Sequence, residues 1–165
     1  MSAISTRKTD DSYVLAIPLY NGQMTLDLFE FLRTAGVTRV RKVLQLIDRD
    51  TCGDTRELYD RLENACGRLL GGELEEELVR AQACVDEKKA ELLEVRGRIS
   101  ALKLSRRKAD EDGRLFLDIR IKQVEHDAEQ VKDALGVAMI DLKALSKGKA
   151  QVQKALEVIR EWRRK

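Results

Sequence analysis

Few residues in this 165-residue chain have the type and spacing to do chemistry. His126 is its single histidine, set between Glu125 and Asp127 and off any apolar stripe. A metal held on one helix face needs a second ligand four residues on, and Gln130 is a poor one. One histidine also leaves little room for a Ser/His/Asp or Cys/His arrangement. Cys52 falls in a predicted loop just before a helix start, a position that lowers a thiol pKa, but no histidine lies near it in sequence. Cys66 and Cys84 sit at or beside apolar positions and are read as buried packing residues. Glu73, Glu75, Glu76 and Glu77 open a helix, where negative charge suits the dipole better than paired acid/base work. No catalytic residue, metal site or cofactor is expected, and the chain is read as non-enzymatic. Three cysteines without metal-ligand spacing point to a reducing compartment, so the expected location is cytoplasmic.

Charge is more informative. Charged residues make up 36% of the chain and aromatics 4%, with a net charge of +2 that gives no global pull toward nucleic acid or anionic lipid. No stretch approaches the roughly 20 apolar residues that span a bilayer, so no membrane insertion is expected, and no basic start with an apolar signal core is seen. Arg106, Arg107 and Lys108 are followed at once by Asp110, Glu111 and Asp112. If the chain turns there, these six charges gather at one tip. Leu104, Leu115, Phe116 and Ile119 lie nearby and off the main apolar stripe, so they form a candidate docking patch beside the charges.

The elements that must position this tip are legible in an apolar repeat spaced alternately four and three residues apart. One run is Leu74, Leu78, Ala81, Val85, Lys88, Leu92, Val95, Ile99 and Leu102. The other runs from Leu117 through Ile121, Val124, Ala128, Val131, Leu135, Ala138, Leu142, Leu145, Lys149, Val152 and Leu156 to Ile159. Such stripes belong to long helices that bury one side against another helix. Residues 73–165 form either a hairpin or one continuous helix of about 140 Å. Three observations favour a turn near 110–113: the Asp-Glu-Asp-Gly turn chemistry, a one-residue phase shift between the runs, and the charge blocks. Residues 73–94 carry eight acidic and three basic residues, and 95–108 carry six basic and no acidic ones. Folding at residue 111 sets 73–94 against 128–149, net +1, and 95–108 against 114–127, net 0, which avoids like charges. It also brings Leu92 close enough to Ala128 that cysteines at the two positions are expected to crosslink. The rival is an antiparallel homodimer of unbroken helices, pairing 73–94, net −5, with 143–165, net +6.

Residues 1–24 read as a polar tail and an extended apolar arm, Tyr13 to Tyr20, which ends at the Asn21-Gly22 turn signal. A lone strand has to pair with another chain or lie on helices. Residues 25–72 read as a small three-helix bundle: a helix from Thr25 to Ala35 stopped by Gly36, a second over 38–49 capped by Thr38, and a third capped by Asp54. Gly71-Gly72 closes the bundle by a stop or a kink. Residues 150–165 overhang the hairpin, and their Leu156, Ile159 and Trp162 are expected to complete the bundle core.

Within Leu26 to Ile47, the Ala35-Gly36-Val37-Thr38 turn between two short helices resembles the helix-turn-helix of bacterial repressors, which often carry Ala-Gly-Val-Ser there. In the second helix Val40 and Val43 fall about two residues early against that pattern. The resemblance implies DNA binding, with Arg39, Arg41 and Lys42 placed to meet phosphates or bases. Residues 1–72 balance ten basic against ten acidic residues, a poor balance for DNA.

The expectation is therefore an all-α protein, a small N-terminal helical bundle followed by a long antiparallel coiled-coil helical hairpin. Its expected work is that of an interaction scaffold or assembly subunit binding a protein partner, with self-association as the alternative form of partnership. The second reading is a nucleic-acid-binding regulator using residues 25–49, dimerised by its coiled coil. Nucleic acid is not the expected partner.

Overall fold

The computed structural model describes residues 14–51 and 54–165. They are mostly helical, with one small sheet: strands β1 (Val14–Leu19) and β2 (Gly22–Asp27), then helices α1 (Leu28–Thr34), α2 (Val37–Asp50), α3 (Thr55–Arg68), α4 (Leu74–Lys108) and α5 (Glu111–Arg164). Residues Leu69–Glu73 form a π-helical turn between α3 and α4. The chain divides into two compact units. One comprises residues up to Glu77 together with Leu145–Lys165, and the other spans Leu78–Ala144.

The apolar arm finds its pairing partner within the chain. β1 and β2 are antiparallel, with Leu15 opposite Leu26 and Ile17 opposite Met24, joined by a tight turn at Tyr20 and Asn21. Gly22 follows that turn with φ +145°, a conformation that side chains disfavour. The Thr51 hydroxyl donates to the Pro18 carbonyl at 2.8 Å, and Tyr20 N–H donates to the Asp50 carbonyl at 3.2 Å. The mostly helical chain thus broadly fits the all-α expectation, with a small two-stranded hairpin added to it. The helix expected from Thr25 begins at Leu28, because Asp27 ends β2 and caps α1, its carboxylate accepting from the N–H groups of Phe29 and Glu30. Alternation in β1 sends Leu15 and Ile17 fully into the core.

Two further sequence expectations change. α2 starts from Gly36 with no side-chain cap, so Thr38 lies inside the helix rather than capping it. Asp54 does cap α3, accepting from Arg56 N–H at 3.0 Å. Gly71-Gly72 neither stops nor frees the chain. The N–H of Leu74 bonds the carbonyl of Leu69, five residues back, which marks the π turn. Leu69 and Leu74 are both buried at 1% exposure or less. Five residues of α-helix would aim them about 140° apart, whereas the wider π turn returns both to one face.

The first unit closes around Leu28, Leu32, Leu44, Ile47, Leu62, Cys66 and Leu69, with Val152, Ala155 and Ile159 from the end of α5. Trp162 is half-buried at the margin rather than inside, its indole N–H donating to Asp48 at 2.6 Å. The other Asp48 oxygen accepts from the buried Tyr59 hydroxyl. Arg163 donates to Glu63 at 2.9 Å and to Asp60 at 2.8 Å, and lies over the Tyr59 ring. Burial, with the Asp48 carboxylate second, pushes the Tyr59 phenol well above its ordinary range.

In the second unit α4 and α5 run antiparallel, tied by Arg106 to Asp118 and Lys103 to Glu125. Every position of the two apolar runs in this unit is buried or half-buried, Val85, Leu92, Ile121 and Ala138 most deeply.

Candidate interaction surface

The turn between α4 and α5 is short: only Ala109 and Asp110 leave the helix. Asp110 is its cap. The Asp110 carboxylate accepts from Gly113 N–H at 2.8 Å and its carbonyl from Arg114 N–H at 2.9 Å. A Cβ at residue 113 would lie 2.9 Å from that carboxylate and 3.1 Å from the Ala109 Cβ, so a side chain there would displace the capping carboxylate. Glu111 and Asp112 form the first turn of α5, where they complement its positive end.

Arg106 is held by Asp118 through both guanidinium and carboxylate, at 2.5 and 3.3 Å. This contact raises the Arg106 pKa above its ordinary range. Of the six tip charges, Arg106 and Asp110 therefore have structural duties. Arg107, Lys108, Glu111 and Asp112 are exposed.

The four apolar candidates do not form one patch. Leu104 is 57% exposed on α4, directly opposite that helix's buried stripe. Leu115, Phe116 and Ile119 are 67%, 66% and 57% exposed on α5, likewise turned away from its stripe. Because the two stripes face each other, the two outer faces point in opposite directions. Leu104 is thereby separated from the other three.

Sequence reasoning missed the continuation of the α5 face. Val137 and Ile140 are 60% and 68% exposed. They lie 21 residues beyond Phe116 and Ile119, which is three seven-residue repeats, so they fall on the same outer stripe. That stripe reads Phe116, Ile119, Gln123, His126, Gln130, Asp133, Val137, Ile140, Ala144, again spaced alternately three and four. Its polar middle concealed it. α5 thus carries two stripes on opposite sides, one covered by α4 and one exposed among the described residues.

The remaining candidates are placed as follows. His126 is exposed, its Nε2 3.3 Å from the Gln130 side-chain nitrogen. Among the described residues no group of three or more His, Cys, Asp or Glu side chains is arranged to hold a metal ion, and no helix is long and apolar enough to cross a membrane. Cys66 is buried, and burial, with Glu63 second, pushes its thiol up to about 12. Cys84 is exposed, contrary to the packing role expected of it. It precedes Val85 by one residue, and that 100° step takes it off the buried stripe. Cys52 lies outside the described residues. Arg39, Arg41 and Lys42 are exposed on α2, with the Arg39 guanidinium 5.8 Å from the Phe31 ring centre. The chain matches no family model, no curated protein and no solved structure.

Proposed function

We propose that this chain is a non-enzymatic interaction scaffold: α4 and α5 form an antiparallel coiled-coil hairpin, and the outer face of α5 binds another protein chain. The observation that carries it is the second apolar stripe of α5. Leu115, Phe116, Ile119, Val137 and Ile140 are each more than half exposed on a helix whose opposite side is already buried. A single exposed apolar residue needs no explanation, but four in repeat register, with Leu115 beside them, mark a contact surface.

A photo-crosslinking amino acid at Phe116 or Ile140, introduced in cells, is expected to give discrete protein adducts, while the same group at Leu104 gives none. Phe116→Glu removes the Ile140 adduct with helix content unchanged. Adducts confined to Leu104, or none anywhere, overturn the reading.

The exposure of Arg39, Arg41 and Lys42 on α2, behind the Ala35-Gly36 turn, favours a second reading as a nucleic-acid-binding regulator. It requires that duplex DNA be shifted at low salt and released steeply as salt rises. No binding at low salt removes it.

A further inference from the structure

Resting on the scaffold reading, we propose that the occupant of the outer α5 face is a second copy of this chain, laid antiparallel, with Phe116 on Ile140 and Ile119 on Val137 of the other copy. The stripe is self-complementary under a twofold axis. It has an apolar pair at each end and four polar residues between, and reversing it about Ala128 returns apolar onto apolar and polar onto polar. In the middle, Gln123 meets Asp133 and His126 meets Gln130, each pair able to share a hydrogen bond. Beyond these pairs Ala144 meets Asp112, with Lys143 one residue away, an opposite-charge contact made twice at the ends.

The alternatives are worse for stated reasons. A parallel dimer sets Asp133 against its own copy inside the seam. A slip of one repeat puts Phe116 against Asp133, or Ile140 against Gln123, burying a polar group without a partner. Polar layers of this kind specify register at some cost in affinity. Asp127 and Glu129 do approach their own copies, but at the exposed margins, where added salt screens them.

Size agrees with a weak, specific contact. Residues 112–144 make a strip about 50 Å long and about 10 Å wide. Two such strips bury on the order of 1,000 Å², the lower bound for a specific interface, so dissociation near the micromolar range is expected.

Sedimentation equilibrium of the purified full chain tests this. The expected result is a concentration-dependent dimer. Phe116→Glu and Ile140→Glu each weaken it by about tenfold or more, and Phe116→Leu retains it, all with unchanged helical circular dichroism. With Cys52→Ser and Cys84→Ser as background, mixing Phe116→Cys and Ile140→Cys chains gives a mixed disulfide on oxidation. Phe116→Cys alone does not crosslink, since its copies lie about 36 Å apart along the helix. A chain that stays monomeric up to about millimolar concentration overturns the inference, as does efficient Phe116→Cys self-crosslinking, which is the signature of a parallel dimer. If the purified chain is monomeric while Phe116 in cells crosslinks to a different protein, the second-copy assignment falls and the scaffold reading stands.

Discussion

Lys149 donates to Glu75 at 2.9 Å, from the one position where the long α5 stripe is interrupted by a charge. Its ammonium leaves the seam sideways and meets a carboxylate from the start of α4, so the interruption is accommodated rather than buried. Both groups are about a third to a half exposed, which limits the pair to about 0–1 kcal/mol. Lys149→Glu is expected to destabilise by about 0.5–1 kcal/mol through repulsion, and the swap Glu75→Lys/Lys149→Glu to recover most of that. Urea unfolding of the unsubstituted chain, Glu75→Lys, Lys149→Glu and the double variant measures it. A double variant no better than Lys149→Glu alone excludes direct coupling.

Leu92 and Leu93 are adjacent leucines with opposite fates, 8% and 74% exposed. Leu92→Ala removes a core contact between α4 and α5 and is expected to cost about 2–4 kcal/mol. Leu93→Ala is expected to stay within about 0.5 kcal/mol. Equal losses would mean that the apolar stripe is not the buried face.

Both long helices were visible from spacing alone, since a repeat of alternating fours and threes has one geometric solution on a helix. Asp54 as a cap followed from local chemistry that no distant contact overrode, while the turn expected at 110–113 lies at Ala109 and Asp110, with Glu111 to Gly113 already helical. What stayed hidden depended on pairing. Gln23 to Asp27 shows little strand propensity, and only Leu15 and Ile17 entering the core explain why it lies in a sheet. The π turn at Leu69–Glu73 was concealed because two glycines read as a stop, whereas a phase correction between Leu69 and Leu74 keeps the chain helical. At the candidate surface, Phe116 and Ile119 were legible as apolar residues off the stripe. Val137 and Ile140 were not, because four polar residues break the outer repeat.

Asp48 accepts from both Tyr59 and Trp162, which joins the end of α2, α3 and the last turn of α5. Asp48→Ala leaves two donors without a partner, one of them on a buried ring, and is expected to cost about 1–3 kcal/mol. Because Trp162 is the chain's single tryptophan, its fluorescence reports the site directly. Emission moves to longer wavelength as the last turn of α5 loosens. An unchanged spectrum and midpoint would show that the contact does not hold α5 in place.

The Cys66 thiol has an ordinary pKa of 9.0, raised to about 12 in the folded chain. A raised folded value means that the stability tied to the protonated thiol is fully present below pH 9. It is lost as pH climbs toward about 12, because the unfolded thiol ionises first. Tyr59, also raised, adds a loss of the same sign above its ordinary value of 10. The urea midpoint is expected to fall from pH 9 upward, with a shallower slope in Cys66→Ala. In a Cys52→Ser background, Cys84 reacts with a thiol reagent at once and Cys66 only on unfolding. Two fast thiols would contradict the burial of Cys66.

Within the second unit the turn at Ala109-Asp110 and the contacts Arg106–Asp118 and Lys103–Glu125 set α4 against α5. With Arg106 level with Asp118, the stripe positions expected to come opposite each other are Val95 with Ala128 and Leu92 with Val131, about a turn away from a Leu92–Ala128 pairing. In a background without other cysteines, Val95→Cys/Ala128→Cys is therefore expected to close an intramolecular disulfide faster than Leu92→Cys/Ala128→Cys, read by mobility on non-reducing gels. The closed loop spans the whole tip, so oxidation should also raise the unfolding midpoint, by about 3 kcal/mol if geometry is unstrained. Faster closure of the Leu92 pair would mean the seam is shifted by a turn. Crosslinks only between chains would restore the rival dimer of unbroken helices.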